Sequence, residues 1–255
     1  MDFYCITSAM LTLTDSAKTT GTNTFLDSIY SYLYDAGIVD GFNLIMRAMP
    51  KFIKGAGLTL ELTVVAIVFG ILLGLILALG RLSRNAIINN LSRLYIWFFR
   101  GTPLLLQIFF IYYALPTISP IKLNSLPAAF LALGLNSGAY LAEIIRGAIQ
   151  SIDKGQMEAS KALGMSYYQA MLRIIIPQSY RRLIPPVGNE FIALLKDSSL
   201  VSVISMTELM RTTSTLANSS GDSSYYLPCA IFYLALTTMF TFVFGKLEKK
   251  YSVYE

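Results

Sequence analysis

Two adjacent charged residues, Lys196 and Asp197, interrupt an apolar region in the second half of the chain. Mostly apolar residues flank them at 191–195 and 200–204. An ionisable residue near the bilayer centre costs about 2.5–3.5 kcal/mol on insertion scales, so each is expected to face a partner or a cavity. Successive helical residues point about 100° apart, so these two cannot pair on one face. One hypothesis is that Lys196 binds the α-carboxylate of an amino acid and Asp197 its α-ammonium group; the alternative is pairing with other helices or across a dimer.

Three further polar residues have the spacing to line the same path. Asn189 lies seven residues before Lys196, on the same helical face, and Asn136 and Tyr140 lie four apart on one face of another apolar segment. Polar residues in membrane helices also form interhelical hydrogen bonds, which is the structural alternative for Asn136 and Tyr140.

The composition excludes several kinds of chemistry. The 255-residue chain has no histidine and only two cysteines, Cys5 and Cys229, far apart. A histidine general base, a Ser-His triad, an HExxH zinc site and a paired-cysteine metal site are therefore absent. No phosphate-binding GxxxxGK[ST] sequence occurs. We predict no catalytic residue and no metal site. The net charge of +5 is modest and indicates membrane orientation rather than binding of nucleic acid.

Hydropathy predicts an all-α integral membrane protein. The mean hydropathy is +0.57 and 55% of the residues are hydrophobic. Several apolar runs approach the roughly 20 residues that cross a hydrocarbon core. We predict a five-helix transmembrane bundle within residues 56–250. Its spans are Ala56–Gly80, Arg93–Leu115, Leu126–Ile149, Leu183–Met206 and Tyr225–Gly245. Gly70, Gly74 and Ala78 recur every four residues in the first span, which favours close packing of helices.

The segment before the first span divides into two parts. Residues 42–55 have apolar side chains at helical spacing, with Arg47, Lys51 and Lys54 elsewhere on the helical wheel. This pattern predicts an amphipathic helix in the membrane interface, which Pro50 bends. The alternative is a helix that packs on the bundle and has no special function. Residues 1–41 are expected to form an extracytoplasmic extension, and the sequence assigns them no role.

Basic residues predict the orientation. They concentrate between the first and second spans, between the third and fourth, and after the fifth. The positive-inside rule therefore places these loops and the C-terminus in the cytoplasm and the N-terminus outside. The basic residues at 47, 51 and 54 oppose this assignment but are outweighed.

The loop at 150–182 is long enough to carry structure of its own. Within it, Ala159, Ala162 and Leu163 form a small, shallow apolar face, and Glu158 and Lys161 lie on the other side. Asp153 is suited to cap a helix and Gly164 to end it. We predict a short cytoplasmic helix, which either packs on its own bundle or docks into a partner.

Three charged residues lie near the cytoplasmic ends of the second and third spans. Glu143 and Arg146 are three residues apart, and Arg100 lies at the corresponding level of the second span. Buried charges are usually paired, so we interpret the three mainly as a salt-bridged layer, with a role as a gate as the alternative.

Residues 155–178 resemble a known loop signature. Their sequence is GQMEASKALGMSYYQAMLRIIIPQ, and it is similar to the cytoplasmic loop of bacterial ABC-importer permeases. Three more stretches resemble the polar amino acid branch of that family: FRGTPLLLQIFFIYYALP at 99–116, AYLAEIIRGAIQSI at 139–152 and LLKDSSLVSVI at 194–204. Ser160 stands where alanine is usual, and Ser198 where threonine is commoner.

The resemblance implies a permease subunit of an ATP-driven importer for polar amino acids in the bacterial cytoplasmic (inner) membrane. It implies that the short helix is a coupling helix for a separate ATPase. The expected coupling residues are Gly155, Gln156, Glu158, Ala159 and Gly164. The expected partners are two ATPase subunits, a second permease subunit (the same or a related chain) and an extracytoplasmic solute-binding protein. ATP and Mg²⁺ would bind the ATPase, and this chain would be no enzyme and hold no cofactor.

Two other classes of function compete with this interpretation. An autonomous secondary carrier or channel for small polar solutes would normally show two matching halves, and neither internal similarity nor an even span count is present. An intramembrane enzyme would need catalytic groups that the sequence lacks. Copurification of an ATPase and a solute-binding protein would distinguish the importer from the carrier.

Overall fold

The computed structural model describes residues 38–251, with side chains from residue 44 onward, and this part of the chain is helical. The described residues fall into two compact units, which divide between Pro50 and Lys51. All candidate site residues belong to the second unit. The N-terminal extension predicted for residues 1–41 lies outside the described residues, except for helical residues 38–41.

The helices have the following bounds in chain order. They are α1 Ile38–Leu82, α2 Ala86–Gly101, α3 Leu104–Phe109, α4 Leu115–Ile118, α5 Ser125–Gln150, α6 Lys154–Ala162, α7 Tyr167–Ala170, α8 Ile176–Asp197, α9 Leu209–Ser220 and α10 Tyr226–Tyr251. Two π-helical turns, Phe110–Ala114 and Met171–Ile175, join α3 to α4 and α7 to α8. Two 3₁₀ segments, Ser198–Ile204 and Ser223–Tyr225, are the remaining helical elements of the described residues.

The first span differs from the prediction at its start. The sequence suggested an interfacial helix at 42–55 followed by a separate span from residue 56, whereas the structure has one helix, α1, with Pro50 inside it. Proline removes one backbone hydrogen bond but is tolerated in membrane helices, and no second proline occurs before the end of α1 at Leu82. The helix therefore ends only near Ser83, where Asn85 begins to cap α2.

The glycines of α1 allow the close packing that their spacing predicts. A Cβ atom added to Gly74 would lie 2.8 Å from the Cβ of Leu141, and one added to Gly70 would lie 3.1 Å from the Oγ of Ser137. Both neighbours belong to α5. Real Cβ atoms essentially never approach another atom to 2.8 Å and seldom to 3.1 Å, so the two glycines allow a shorter distance between α1 and α5 than larger residues would.

The second span is broken. We predicted one helix over Arg93–Leu115, but α2 and the segment Leu104–Ile118 are bent by 104° at Thr102 and Pro103. Proline disfavours the α conformation of the preceding residue, and Thr102 is indeed extended, with φ −116° and ψ 145°. The break exposes backbone groups that must be satisfied by other parts of the chain.

The remaining spans agree with the prediction in part. Two candidate membrane-spanning helices, Ser125–Gln150 and Ser223–Tyr251, contain the predicted third and fifth spans. The predicted fourth span is divided between α8 and the 3₁₀ segment Ser198–Ile204. Within residues 38–251, three helices are long and apolar enough to cross a membrane, or four if the bent pair is one span. The predicted fourth span is not among them, because α8 carries five charged residues: Arg181, Arg182, Glu190, Lys196 and Asp197.

The hydrophobic core fixes the positions of α5 and α8, the two helices that carry most of the candidate site residues. Helix α8 packs on both α5 and α10. Leu133 and Leu141 of α5 and Leu194 and Leu195 of α8 are buried in one cluster. Dense apolar packing of this kind restricts rotation of the helices, so polar residues on their other faces have defined neighbours.

Candidate functional site

A polar cavity of about 520 Å³ lies beside the break in the second span. It has the size of a small-molecule site. Its polar lining comes from three elements: the break itself, α5 and α8. The polar and charged lining residues are Arg100, Thr102, Asn136, Tyr140, Glu190 and Asp197. The cavity thus brings together three of the five residues predicted to bind solute, namely Asp197, Asn136 and Tyr140.

Two buried amides hold the break in shape. The Nε2 of Gln107 donates to the backbone oxygen of Phe99 at 2.8 Å and to the Oγ1 of Thr102 at 2.9 Å. The Nδ2 of Asn136 donates to the same Phe99 oxygen at 3.2 Å and to the Oε1 of Gln107 at 3.0 Å. Asn136 therefore makes the interhelical hydrogen bonds that we considered as its alternative role, and it also lines the cavity.

Replacing Gln107 with leucine is expected to destabilise the protein. The change removes the donors to Phe99 and Thr102 and leaves buried polar groups unpaired, which costs about 1–3 kcal/mol. The thermal unfolding temperature of the purified protein in detergent measures the effect. Gln178→Leu is the matched control, because Gln178 is exposed and its amide donates only to the Oε1 of Gln156. Equal unfolding temperatures for the two variants would show that the amide does not hold the break.

Arg100 lines the polar cavity and makes no direct ion pair with the described carboxylates, while its charge also acts on Glu143 of the predicted layer. Its guanidinium carbon is 5.1 Å from the centroid of the Tyr140 ring, which is a cation–π contact. The direct ion pairs of this layer are made by Arg146 and Arg81. The Nε of Arg146 donates to the Oε2 of Glu143 at 3.1 Å, and the Nε of Arg81 lies 3.6 Å from the Oε1 of Glu143. Sequence analysis missed Arg81, whose only signal was its position at the end of the first span.

Lys196 and Asp197 do not share a cavity. Asp197 lines the polar cavity, whereas Lys196 lines a smaller, mainly apolar cavity of about 300 Å³ beside α10. The separation follows from the 100° between successive residues of a helix. Asn189, which was grouped with Lys196, is exposed and lines neither cavity. Lys196 and Asn189 therefore do not line the polar cavity with Asp197.

Glu190 is the cavity residue that sequence analysis missed. It is half-buried, and its Oε1 accepts a hydrogen bond of 2.9 Å from the Oγ of Ser137 on α5. Its signal was present in the sequence, because Glu190 lies seven residues, or about two turns, before Asp197. Counting seven residues back from Lys196 instead of from Asp197 leads to Asn189.

The predicted short helix is present as α6, with the predicted ends. The Oδ1 of Asp153 accepts from the backbone N–H of Gly155 at 2.6 Å, so Asp153 is its N-cap. Gly164 follows the helix with a φ of +79°, a conformation that favours glycine. The expected coupling residues Gly155, Gln156, Glu158, Ala159 and Gly164 are all exposed.

The two faces of α6 have different surroundings. Ser160 is only 4% exposed, and its hydroxyl donates to the backbone oxygen of Gln156. Ala159 and Ala162 are exposed, and Leu163 is 83% exposed. The shallow apolar face is therefore not packed against the rest of the chain. Ser160, which replaces the usual alanine of the loop signature, lies on the buried side of α6. It therefore does not alter the exposed apolar face.

The protein has helices long enough to cross a membrane, a polar cavity and a loop whose short helix has an exposed apolar face. These features define a membrane transport protein. Comparison with known proteins identifies the family. Residues 70–253 match the family described as "Binding-protein-dependent transport system inner membrane component". The chain belongs to this family.

Relatives and a solved structure agree with this membership. The chain is 41% identical over 216 residues to the probable amino-acid permease protein YxeN of Bacillus subtilis, covering 83% of this chain and 96% of that protein. It is 36% identical over 214 residues to the glutamine transport system permease protein GlnP of Escherichia coli, covering 83% and 98%. The crystal structure of an amino acid ABC transporter with histidines matches with 38% identity and a TM-score of 0.78, over 80% of this chain and 96% of that one.

Membership establishes the general function. The chain is a permease subunit of an ABC importer and a multi-pass protein of the inner membrane. It is a transport subunit and not an enzyme, since ATP hydrolysis in this family is carried out by a partner ATPase. The family also implies a substrate-binding protein as a second partner.

Proposed function

We propose that this permease imports polar amino acids and that the polar cavity binds them during passage. The observation that carries the proposal is the placement of Asp197, Arg100 and Tyr140 around one cavity at a break in a membrane span. Charged side chains at membrane depth are expensive and usually mark the path of a solute. Broken helices at membrane depth are tolerated where they line such a cavity.

The charges of the cavity match the two ends of an amino acid. Asp197 can bind the α-ammonium group, and Arg100 can bind the α-carboxylate with two parallel hydrogen bonds. Tyr140 holds the Arg100 guanidinium by its ring and limits the positions that it can take. Arg100 thus takes the role for the carboxylate that the sequence suggested for Lys196.

We also propose that α6 is the coupling helix and docks into the ATPase. Its exposed face of Ala159, Ala162 and Leu163 is small and shallow, which allows another surface to approach closely. The nearby Tyr167 and Tyr168 are exposed as well and extend this apolar surface. Two ATPase subunits, which bind ATP and Mg²⁺, would act on two permease subunits, and an extracytoplasmic binding protein would deliver the solute. This chain needs no cofactor, and its N-terminus lies outside and its C-terminus in the cytoplasm.

Hydrogen bonds connect the loop that contains α6 to α8, and α8 reaches the polar cavity. The Nη1 of Arg182, near the start of α8, donates to the backbone oxygen of Ser151 at 2.7 Å, just before α6. Gln178 of α8 donates to Gln156 of α6 at 3.3 Å. Since Asp197 is the last residue of α8, one helix connects the docking loop to the cavity. This connection supports alternating access driven by closure of the ATPases.

The proposal is tested with the reconstituted complex of permease, ATPase and binding protein. We expect ATPase activity to be stimulated by one or more polar amino acids across a panel of all twenty. Peptides and sugars of similar size serve as controls and should give no stimulation. Absence of stimulation by any amino acid, in a complex that hydrolyses ATP, would exclude this substrate class.

A further inference from the structure

The first two turns of α2 lie beside the end of α1. The apolar run of α1 ends at Gly80, just before Arg81. A Cβ atom added to Gly80 would meet the Oγ of Ser92 on α2. Asn89 exchanges two hydrogen bonds with Arg81: the Nη1 of Arg81 donates to its Oδ1 at 3.0 Å, and its Nδ2 donates to the backbone oxygen of Arg81 at 2.7 Å. The start of α2 therefore lies where the apolar part of α1 ends, which is the level of the lipid headgroups.

One side of α2 is apolar and exposed. Its members recur at helical spacing and are about half to two-thirds exposed: Ile87, Leu91, Leu94 and Phe98. The opposite side, with Ser92 and Ile96, is buried against the rest of the chain. An exposed apolar face of this kind fits acyl chains or another protein, and the residues along its edge distinguish the two.

Polar and aromatic residues form an edge beside the apolar face. Asn90, Arg93 and Trp97 lie three and four residues apart, so they share one side of the helix, and all three are exposed. Arg84 is exposed as well and lies in the connection two residues before α2. A helical side chain leans towards the start of its helix, so the long side chain of Arg93 can reach back towards Arg84. Tryptophan and basic residues together are typical of the headgroup level of a membrane.

The two arginines have no acidic partner in the part of the chain that the structure describes. The sequence contains no aspartate or glutamate between Glu61 and Glu143. Glu143 already pairs with Arg81 and Arg146, and neither Arg84 nor Arg93 forms an ion pair among residues 44–251. The edge of α2 therefore carries two positive charges that complement an anion from outside the chain.

We infer that this edge of α2 binds the headgroup of an anionic phospholipid, whose acyl chains lie on the apolar face. Guanidinium groups bind phosphate oxygens through parallel hydrogen bonds, and the amide of Asn90 adds a further donor. In the proposed orientation this end of α2 faces the cytoplasm, where anionic lipids attract basic residues. A symmetric contact between two copies through α2 does not match these charges, because α2 contains no acidic residue. The lipid site is separate from the polar cavity and does not depend on the identity of the solute.

Trp97 provides a direct measurement, because it is the only tryptophan of the chain. The permease–ATPase complex is reconstituted into phosphatidylcholine vesicles that contain either brominated phosphatidylglycerol or brominated phosphatidylcholine. Bromine quenches tryptophan fluorescence on contact, and a complex with Trp97→Phe gives the background from the partner. We expect phosphatidylglycerol to bind at least about tenfold more tightly than phosphatidylcholine, since each arginine near a membrane surface contributes about fivefold at low salt. Sodium chloride at about 0.5 M should reduce the preference by screening.

Substitutions identify the groups that select the headgroup. Arg93→Gln and Arg84→Gln should each reduce the preference about fivefold, and the double variant should bring it close to one. Arg84 lies outside the helix, so its variant tests the site independently of any effect on α2 itself. Lys122→Gln is the matched control, because it removes an exposed positive charge from the connection between α4 and α5 and should leave the preference unchanged. Size-exclusion profiles and the amount of copurified ATPase show that each variant is assembled.

Two kinds of result would overturn the inference. Equal quenching by the two lipids in the wild type, or a preference for phosphatidylglycerol that the double variant retains, would mean that the arginines do not bind the headgroup. Absence of quenching by either lipid would mean that protein, such as a second permease subunit, covers this face. Neither result bears on amino acid import, which the stimulation of ATPase activity tests separately.

Discussion

Replacing Asp197 by asparagine is expected to reduce solute affinity and transport by roughly 10- to 100-fold. Asparagine has nearly the same shape, so the cavity keeps its volume and loses one negative charge. A charge-assisted hydrogen bond to the α-ammonium group is replaced by a neutral one, at a cost of about 1.5–3 kcal/mol. Uptake of radiolabelled amino acid into proteoliposomes and direct binding to the complex both measure the effect.

The adjacent residue provides the control. Lys196 lies next to Asp197 in sequence but lines the other, mainly apolar cavity. We therefore expect Lys196→Gln to lose clearly less solute affinity than Asp197→Asn, because it removes no group that lines the polar cavity and alters only the electrostatic attraction between Lys196 and Asp197. An equal loss of affinity in both variants would mean that Lys196 also contacts the solute, as the sequence first suggested. Full activity of Asp197→Asn would remove Asp197 from the binding site.

Replacing Gly164 by aspartate is expected to abolish most transport and to reduce copurification of the ATPase. The glycine follows α6 with a φ of +79°, and a Cβ there would meet no atom within 4 Å. The new side chain therefore projects from the exposed surface that we assign to docking, and it adds a negative charge there. Burying an unpaired charge in an interface is unfavourable, so the complex should weaken by at least about tenfold.

Gly221 separates this effect from backbone strain. It follows α9 with a φ of +69°, and a Cβ there would also meet no atom within 4 Å. Both substitutions therefore carry the same cost of the left-handed conformation, about 1–2 kcal/mol. We expect Gly221→Asp to insert normally and to copurify with the ATPase. Uptake at the wild-type rate by Gly164→Asp, with normal ATPase copurification, would refute the docking role.

Local features of this protein could be predicted because their causes are close together in the sequence. Asp153 and Gly164 define the ends of α6 through hydrogen bonding and backbone conformation within a few residues. Glu143 and Arg146 pair because residues three apart share one side of a helix. The apolar segments are recognisable because the length needed to cross a bilayer depends only on composition.

Other features depend on contacts between distant segments. The break at Thr102 is held by Gln107 and by Asn136, which comes from a different helix. The orientation of Ser160 towards the chain reflects packing around α6, and no periodicity in the sequence determines it.

The candidate site depends both on local sequence patterns and on contacts between distant segments. By itself, the sequence determined that charged groups lie in a membrane segment and that a short capped helix follows the third span. Only the tertiary structure decided that Asp197 faces the polar cavity, that Lys196 faces another and that Glu190 and Arg100 join Asp197. The reason is geometric: the rotation of α8 is set by its packing on α5 and α10, and that rotation selects which of the two adjacent charged residues lines the polar cavity.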